Sequence, residues 1–177
     1  TAMEFSATKL EGCFIVRPKK IADERGHFAR AFCQDEFVQH GLEPNMLQLN
    51  SGYSHRAGTV RGLHYQTAPH LEAKFVRCTR GAIFDVVVDM RAGSPTRGQW
   101  IGVELGADDG TMVYVPEGCA HGYQTLVDGA EMYYLTSARY APAASAGVRF
   151  DDPAFGIAWP APVTVVSEQD RHWPDFA

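Results

Sequence analysis

An all-β fold, closed or sandwiched and antiparallel, is what this sequence predicts. Three observations carry the prediction. Short segments rich in Val, Ile, Tyr, Phe and Thr recur along the chain. Turn residues punctuate them: Arg80-Gly81, Ala92-Gly93-Ser94-Pro95, Asp108-Asp109-Gly110, Pro116-Glu117-Gly118 and Asp128-Gly129. Many short strands at near-regular spacing are the mark of a β sandwich or barrel. Only one stretch, Gln34 to His40, reads as a helix, with Phe37 and Val38 as its apolar residues.

In chain order the expected strands are Phe14 to Val16, Thr59 to Gln66, Ala73 to Thr79 and Ala82 to Met90. Gln99 to Leu105, Thr111 to Val115, Gly122 to Val127 and Glu131 to Ser137 follow. From Pro160 on the sequence is Pro-rich and is expected to wrap the surface. No repeat, low-complexity tract or linker interrupts the chain, and its 177 residues suit a single domain over 1–177.

Composition excludes several classes. Hydrophobic residues make up 45% and charged residues 21%, a globular balance that can support a core without staples. Sixteen Lys and Arg against 21 Asp and Glu leave a net charge of -5, which argues against nucleic acid as the partner. A small anion held by a few local arginines stays open. No stretch approaches the roughly 20 apolar residues of a membrane span. The opening residues Thr1 to Phe5 lack the basic and apolar regions of a secretory leader. Cys13, Cys33, Cys78 and Cys119 show no CxxC spacing. They read as reduced thiols of a cytoplasmic protein, without a zinc site or a disulfide framework.

Arg61-Gly62-Leu63-His64-Tyr65-Gln66 places an arginine, a histidine and a glutamine in one apolar strand. Residues two apart share a face, so His64 and Gln66 point together and Arg61 points away. A bulge at Gly62 would bring Arg61 round to join them. From this segment alone the plainer reading is preferred: one satisfied core histidine and an exposed arginine. Gly110 to His121 is more telling. It has a Gly, five residues, Pro-x-Gly, two residues and a His, and so resembles the second signature of the cupin superfamily. Gly58 and His64 resemble the start of the first signature, which ends in His-x-His. Here Gln66 occupies the last position. Two histidines fall short of the three or four protein ligands of a transition-metal site, so no metal is expected.

An ordered set of motifs narrows the resemblance. Asp23-Glu24-Arg25-Gly26, Gln48-Leu49-Asn50, Arg61 to Gln66, Ala73-Lys74-Phe75-Val76 and Phe84 to Asp89 come first. Ser94-Pro95-Thr96, Pro116 to Gly122 and Asp152-Pro153 complete it. Together, from about Gly12 to Asp170, they resemble the dTDP-4-dehydrorhamnose 3,5-epimerase family. The resemblance implies a cupin-type jelly-roll β barrel with a short helix and a C-terminal tail. It implies a homodimer with the site inside the barrel. It also implies cofactor-independent epimerisation of a nucleotide-diphospho-4-keto-6-deoxyhexose at the carbons flanking the ketone.

The resemblance assigns the catalytic base to His64, its orienting carboxylate to Asp170, the catalytic tyrosine to Tyr134 and the active-site lysine to Lys74. The chemistry agrees. Removing a proton beside a ketone needs a base of near-neutral pKa, a carboxylate to fix its tautomer, and a donor for the developing oxyanion. Inversion then needs an acid on the opposite face, and a phenol stays protonated at neutral pH. Taken singly, each residue also fits an ordinary structural role; the four together fit one mechanism.

Arg61 and Arg25 are the expected diphosphate contacts, since guanidinium grips phosphate oxygens bidentately. The Arg25 segment is expected to complete the neighbouring subunit's site. Gln48, Asn50, Gln66, His121 and Tyr140 are candidate contacts to sugar or nucleotide, and Phe28 a stacking partner for the base. Asp85 and His121 form either a supporting polar pair or two separate structural residues.

The chain departs from the family pattern at Arg30 (usually Glu), Leu135 (usually Lys), Ser145 (usually Glu) and Gln169 (usually Lys). The stretch Ser51 to Gly58 is one residue longer. Arg30 bears on the base, because Arg offers only donors where a carboxylate accepts from thymine N3–H. A CDP- or GDP-linked ketosugar therefore stands beside dTDP, unless Arg30 simply points to solvent. Epimerisation at C3 alone and a non-catalytic sugar-nucleotide-binding cupin are the other open readings.

Overall fold

The computed structural model describes residues 2–177. Strands β1 (Glu4–Ala7), β2 (Phe14–Arg17), β3 (Ile21–Asp23) and β4 (Gly26–Phe28) precede helix α1 (Gln34–Gln39). Then come β5 (Gln48–Ser54), β6 (Val60–Gln66), β7 (Lys74–Arg80), β8 (Ala82–Asp89), β9 (Trp100–Gly106), β10 (Met112–Val115) and β11 (Cys119–Thr125). Strands β12 (Ala130–Thr136) and β13 (Ser145–Gly147) and the short helix α2 (Glu168–Arg171) complete the chain. A six-stranded sheet runs β1-β2-β10-β7-β12-β5, and a five-stranded sheet runs β13-β6-β11-β8-β9. Every ladder is antiparallel. The two sheets close over one another as a jelly roll, the fold class expected.

The eight expected strands and the helix are present, with ends displaced by a residue or so. The exception is β11, which starts at Cys119 rather than Gly122. Its first residues carry the register opposite Asp89 and Val88, so ladder bonds override the turn chemistry of Gly118. Strand β5 has no counterpart in the expected set. Its sequence Gln-Leu-Asn-Ser-Gly-Tyr-Ser lacks an apolar face, and most of it stays exposed even when paired. The β1, β3, β4 and β13 segments are too short to show a period. In α1 only Phe37 of the two apolar residues is buried. Its ring meets Phe32, Phe75 and Tyr114 edge-on, while Val38 is exposed.

The segment after Pro160 does not merely wrap the surface. Val60 N–H donates to the Val165 carbonyl (2.9 Å), Thr164 N–H to the Gly58 carbonyl (3.0 Å) and Gln124 Nε2 to the Ala161 carbonyl (2.8 Å). The tail thus lies along β6 and β11 and delivers Asp170 to the barrel interior, where it is buried.

Two glycines let β6 and β11 meet closely. A Cβ on Gly122 would lie 2.5 Å from the Arg61 carbonyl oxygen, and one on Gly62 (φ +115°) would lie 2.7 Å from Gly122 Cα. At this point the β6–β11 register shifts: His121 faces His64, and Tyr123 faces Arg61. Two residues of β6 are set against one of β11, so Arg61 and His64 line one cavity. The bulge brings Arg61 round to the side of His64, while Arg61 keeps the exposure that the plainer reading gave it.

Asp89, fully buried at the end of β8, clamps the following turn. Burial pushes its carboxyl up, but hydrogen bonds from Arg91, Ser94 and Thr96 outweigh that and hold it well below the usual carboxylate range. Asp89→Asn is expected to cost about 3 kcal/mol, measured by chemical denaturation at pH 7. A depressed carboxylate stabilises the fold above its unfolded-state pKa. The deficit against wild type should therefore shrink as pH falls below about 4. A deficit that stays constant through the acid range would contradict this.

Candidate active site

The cavity between the sheets has two lobes, of about 470 and 480 Å³. His64, Lys74, Tyr134 and Gln169 line both and so stand where the lobes meet. Arg61, His121, Tyr123 and Asp170 line the first lobe, and Gln48, Asn50, Gln66, Glu72 and Tyr140 the second. His64 projects from the five-stranded sheet, whereas Lys74 and Tyr134 project from the six-stranded one. The histidine and the phenol therefore face one space from opposite walls.

His64 is oriented from the tail. Its Nε2 lies 2.6 Å from Asp170 Oδ1, while Gly62 N–H donates to Oδ2 (3.0 Å) and Trp173 Nε1–H to Oδ1 (3.0 Å). Burial pushes the Asp170 carboxyl up, and these hydrogen bonds outweigh it, led by the one from His64. Asp170 stays ionised and takes the Nε2 proton bond, leaving Nδ1 as the nitrogen with a free lone pair. Ser167 caps α2 by accepting from Asp170 N–H (3.2 Å). Trp173 reaches Asp170 by lying over Gly147, where a Cβ would sit 2.3 Å from the indole.

Lys74 is buried, its Nζ 3.3 Å from the His64 carbonyl and 3.6 Å from Glu72 Oε1. Burial lowers the lysine and raises the glutamate, and each partly holds the other in its charged form. Burial also pushes the Tyr134 phenol up, opposed by Asn50, which faces it across the β5–β12 ladder. His121 Nε2 lies 2.6 Å from Asp85 Oδ1, so these two form one buried polar pair rather than two separate residues.

Not every expected site residue gathers here. Arg25 and Phe28 sit on the β3–β4 hairpin, outside both lobes. Arg25 pairs with Asp23 (2.5 Å), and Phe28 is 69% exposed beside a separate hollow that also includes Arg30 and Arg77. Arg30 does not simply point to solvent; its Nη1 holds the buried Glu36 carboxylate at 3.0 Å. Gln66 lines the second lobe, yet its amide donates to the His70 and Arg139 carbonyls and accepts from Ala141 N–H. Glu72, Tyr123 and Trp173 are the cavity and support residues that the sequence reading missed. Tyr123 had a usable signal, since it stands two residues from His121 in β11 and shares its face, whereas Glu72 precedes β7 and had none. Trp173 had none, because it acts through the tail's path. Among the described residues no group of three or more His, Cys, Asp and Glu is arranged to hold a metal ion. No helix among them is long and apolar enough to cross a membrane.

A histidine and a tyrosine facing each other across a jelly-roll cavity, with a buried lysine lining the same junction, define a cupin-fold protein with a polar small-molecule pocket between its sheets. The chain belongs to the dTDP-4-dehydrorhamnose 3,5-epimerase family, whose model matches residues 7–177, and is accordingly an isomerase. A protein of that name from Sinorhizobium fredii is 42% identical over 175 residues, covering 98% of this chain and 90% of the relative. A dTDP-4-dehydrorhamnose 3-epimerase from Streptomyces niveus is 40% identical over 163 residues, 92% and 78% of the two chains. The crystal structure of the Bacillus anthracis 3,5-epimerase with TDP and PPi bound has a TM-score of 0.95 at 35% identity, covering 99% of this chain and 100% of that one.

If Asp170 accepts from His64 as described, the Nε2 proton should appear as a low-field NMR resonance at low temperature. Asp170→Ala is expected to abolish that resonance while the circular-dichroism spectrum keeps its β character. Survival of the resonance in the variant would mean that Nε2 is bonded elsewhere.

Proposed function

We propose that this protein epimerises a dTDP-linked 4-keto-6-deoxyhexose at C3 and C5 by proton abstraction and return, without a cofactor. One observation carries the reading: His64 and Tyr134 face one cavity from opposite sheets, with Lys74 lining the same junction. His64 Nδ1 takes the proton from the carbon beside the ketone. Asp170 stabilises the resulting imidazolium through Nε2. The ketone oxygen becomes an enolate, and the Lys74 ammonium lies against it in a site where water is scarce. Tyr134, kept protonated by burial, returns a proton to the opposite face of the carbon, and the configuration inverts.

Charge distribution supports a diphosphate at the Arg61 end. His64, Lys74 and His121 each face a carboxylate, whereas Arg61 bonds only Ser54 Oγ (3.1 Å) and the Tyr53 carbonyl (2.6 Å). Among the described residues it has no carboxylate partner, so its charge is available to an anion. Thymidine as the carrier is supported by relatives named for dTDP. Arg30 is engaged by Glu36 and is not a free base-recognition group. Competition among dTDP, CDP and GDP for binding tests this point, and preference for CDP or GDP would overturn it.

A homodimer fits the surfaces. Ile21 and Phe28 on the β3–β4 hairpin, Leu47 just before the edge strand β5, and Leu49 and Tyr53 on it are all exposed. A second subunit would cover them and bring its Arg25 to the cavity mouth. A monomer by sedimentation at assay concentration would remove the shared-site part of the reading.

The decisive measurement is incubation with dTDP-4-keto-6-deoxyglucose in deuterated water, followed by NMR. Label at both C3 and C5 is expected. Label at C3 alone would favour the second reading, a 3-epimerase, to which the Streptomyces niveus relative lends weight. His64→Ala should slow exchange by about 10²- to 10⁴-fold. Lys74→Met should lower kcat by about 10²- to 10³-fold. Tyr134→Phe should still exchange label but stall inversion. Unimpaired exchange in His64→Ala would end the mechanism.

A further inference from the structure

Tyr123 is a second phenol in the cavity, and the mechanism above does not use it. It belongs to β11, two residues beyond His121, and stands opposite Arg61 in the β6–β11 ladder. The residue is 5% exposed and packs against the core that contains Cys78, Val87 and Met132, so it forms part of the cavity floor. Its hydroxyl crosses to the facing sheet. A Cβ built on Gly52 of β5 would lie 2.8 Å from Tyr123 Oη. No described residue hydrogen-bonds that oxygen, yet it is not among the fully enclosed polar atoms that lack a partner. It therefore opens into the lobe that Tyr123 lines.

Position along β5 tells what the hydroxyl would meet. Ser54, Gly52 and Asn50 alternate along one face of that strand, about 7 Å apart. Arg61 bonds Ser54, the Tyr123 hydroxyl lies against Gly52, and Tyr134 faces Asn50. The second phenol is thus between the guanidinium at the mouth and the reacting groups. A hexose joined at C1 to a diphosphate on Arg61, with C3 to C5 between His64 and Tyr134, would present its ring substituents there.

We propose that Tyr123 is a sugar-recognition residue, donating a hydrogen bond to an oxygen substituent of the hexose ring. This deepens the epimerase reading and rests on it. Burial pushes the phenol up to about 12, opposed by Arg61, so it remains a donor at working pH. A buried donor left unmatched disfavours a ligand without the corresponding oxygen, which makes the group a selector as well as a contact.

Tyr123→Phe keeps the ring and removes only the hydroxyl. The test compares affinities for dTDP and for dTDP-rhamnose by calorimetry in wild type and variant, with a thermal melt as the fold control. The sugar's contribution, the ratio of the two dissociation constants, should fall about 10-fold in the variant while the affinity for dTDP alone stays unchanged. Gly52→Ala, which pushes a methyl group at the hydroxyl from a strand of ordinary φ, should lower the same ratio. An unchanged ratio overturns the proposal, and so does an equal loss for dTDP, which would make Tyr123 a phosphate contact. The binding ratio needs no turnover. A wild-type chain that binds both ligands but exchanges no label would sink the epimerase reading and leave this result readable.

Discussion

The contact between Asp170 and His64 is the constraint on which the rest of the site depends. The two residues are separated by 106 positions, and 2.6 Å separates carboxylate from ring. Bringing them together requires the tail to pair along β6, α2 to be capped by Ser167, and the Trp173 indole to lie over Gly147. It also requires the bulge between β6 and β11, because the Gly62 N–H exposed there is the carboxylate's second donor. A buried carboxylate without those donors would rise in pKa and lose its hold on the imidazole. The geometry of this pair and the closing of the barrel depend on the same contacts.

The same economy governs charge. The protein carries a net charge of -5, yet the reading asks it to hold a dianionic group. Inside the cavity the cationic or protonatable groups His64, Lys74 and His121 are each set beside a carboxylate. Among the described residues that line the cavity, only the Arg61 guanidinium remains without one. Local arrangement rather than overall balance sets the potential that a ligand meets. The buried pair of His121 and Asp85 costs desolvation, which the short hydrogen bond between them offsets.

Strand β5 explains how a stable barrel keeps an open cavity. It is an edge strand with polar and small residues on its inner face and Leu49 and Tyr53 on its outer one. The small inner residues make space for the Arg61 side chain, the Tyr123 hydroxyl and Tyr134 in turn. The apolar outer residues are what an edge ordinarily hides or pairs.

By itself the sequence determined the fold class, eight of the strands, the α1 helix and the identity of His64, Lys74, Tyr134 and Asp170 as candidates. Enrichment in Val, Ile, Tyr, Phe and Thr between turn residues marks these strands in local composition, and an ordered run of motifs carried the family. Strand β5 was illegible because its inner face borders a cavity rather than a core, so no hydrophobic period marks it. The direction of Arg61 was misread because a bulge depends on two glycines meeting from strands far apart in sequence. Tyr123 lay within reach of the period of two but carried no motif, Glu72 precedes its strand, and Trp173 gains its role only through the tail's course. Tertiary structure alone decided which polar groups are paired and which are left to a ligand. That distinction is set by distances between residues that the chain's order keeps apart.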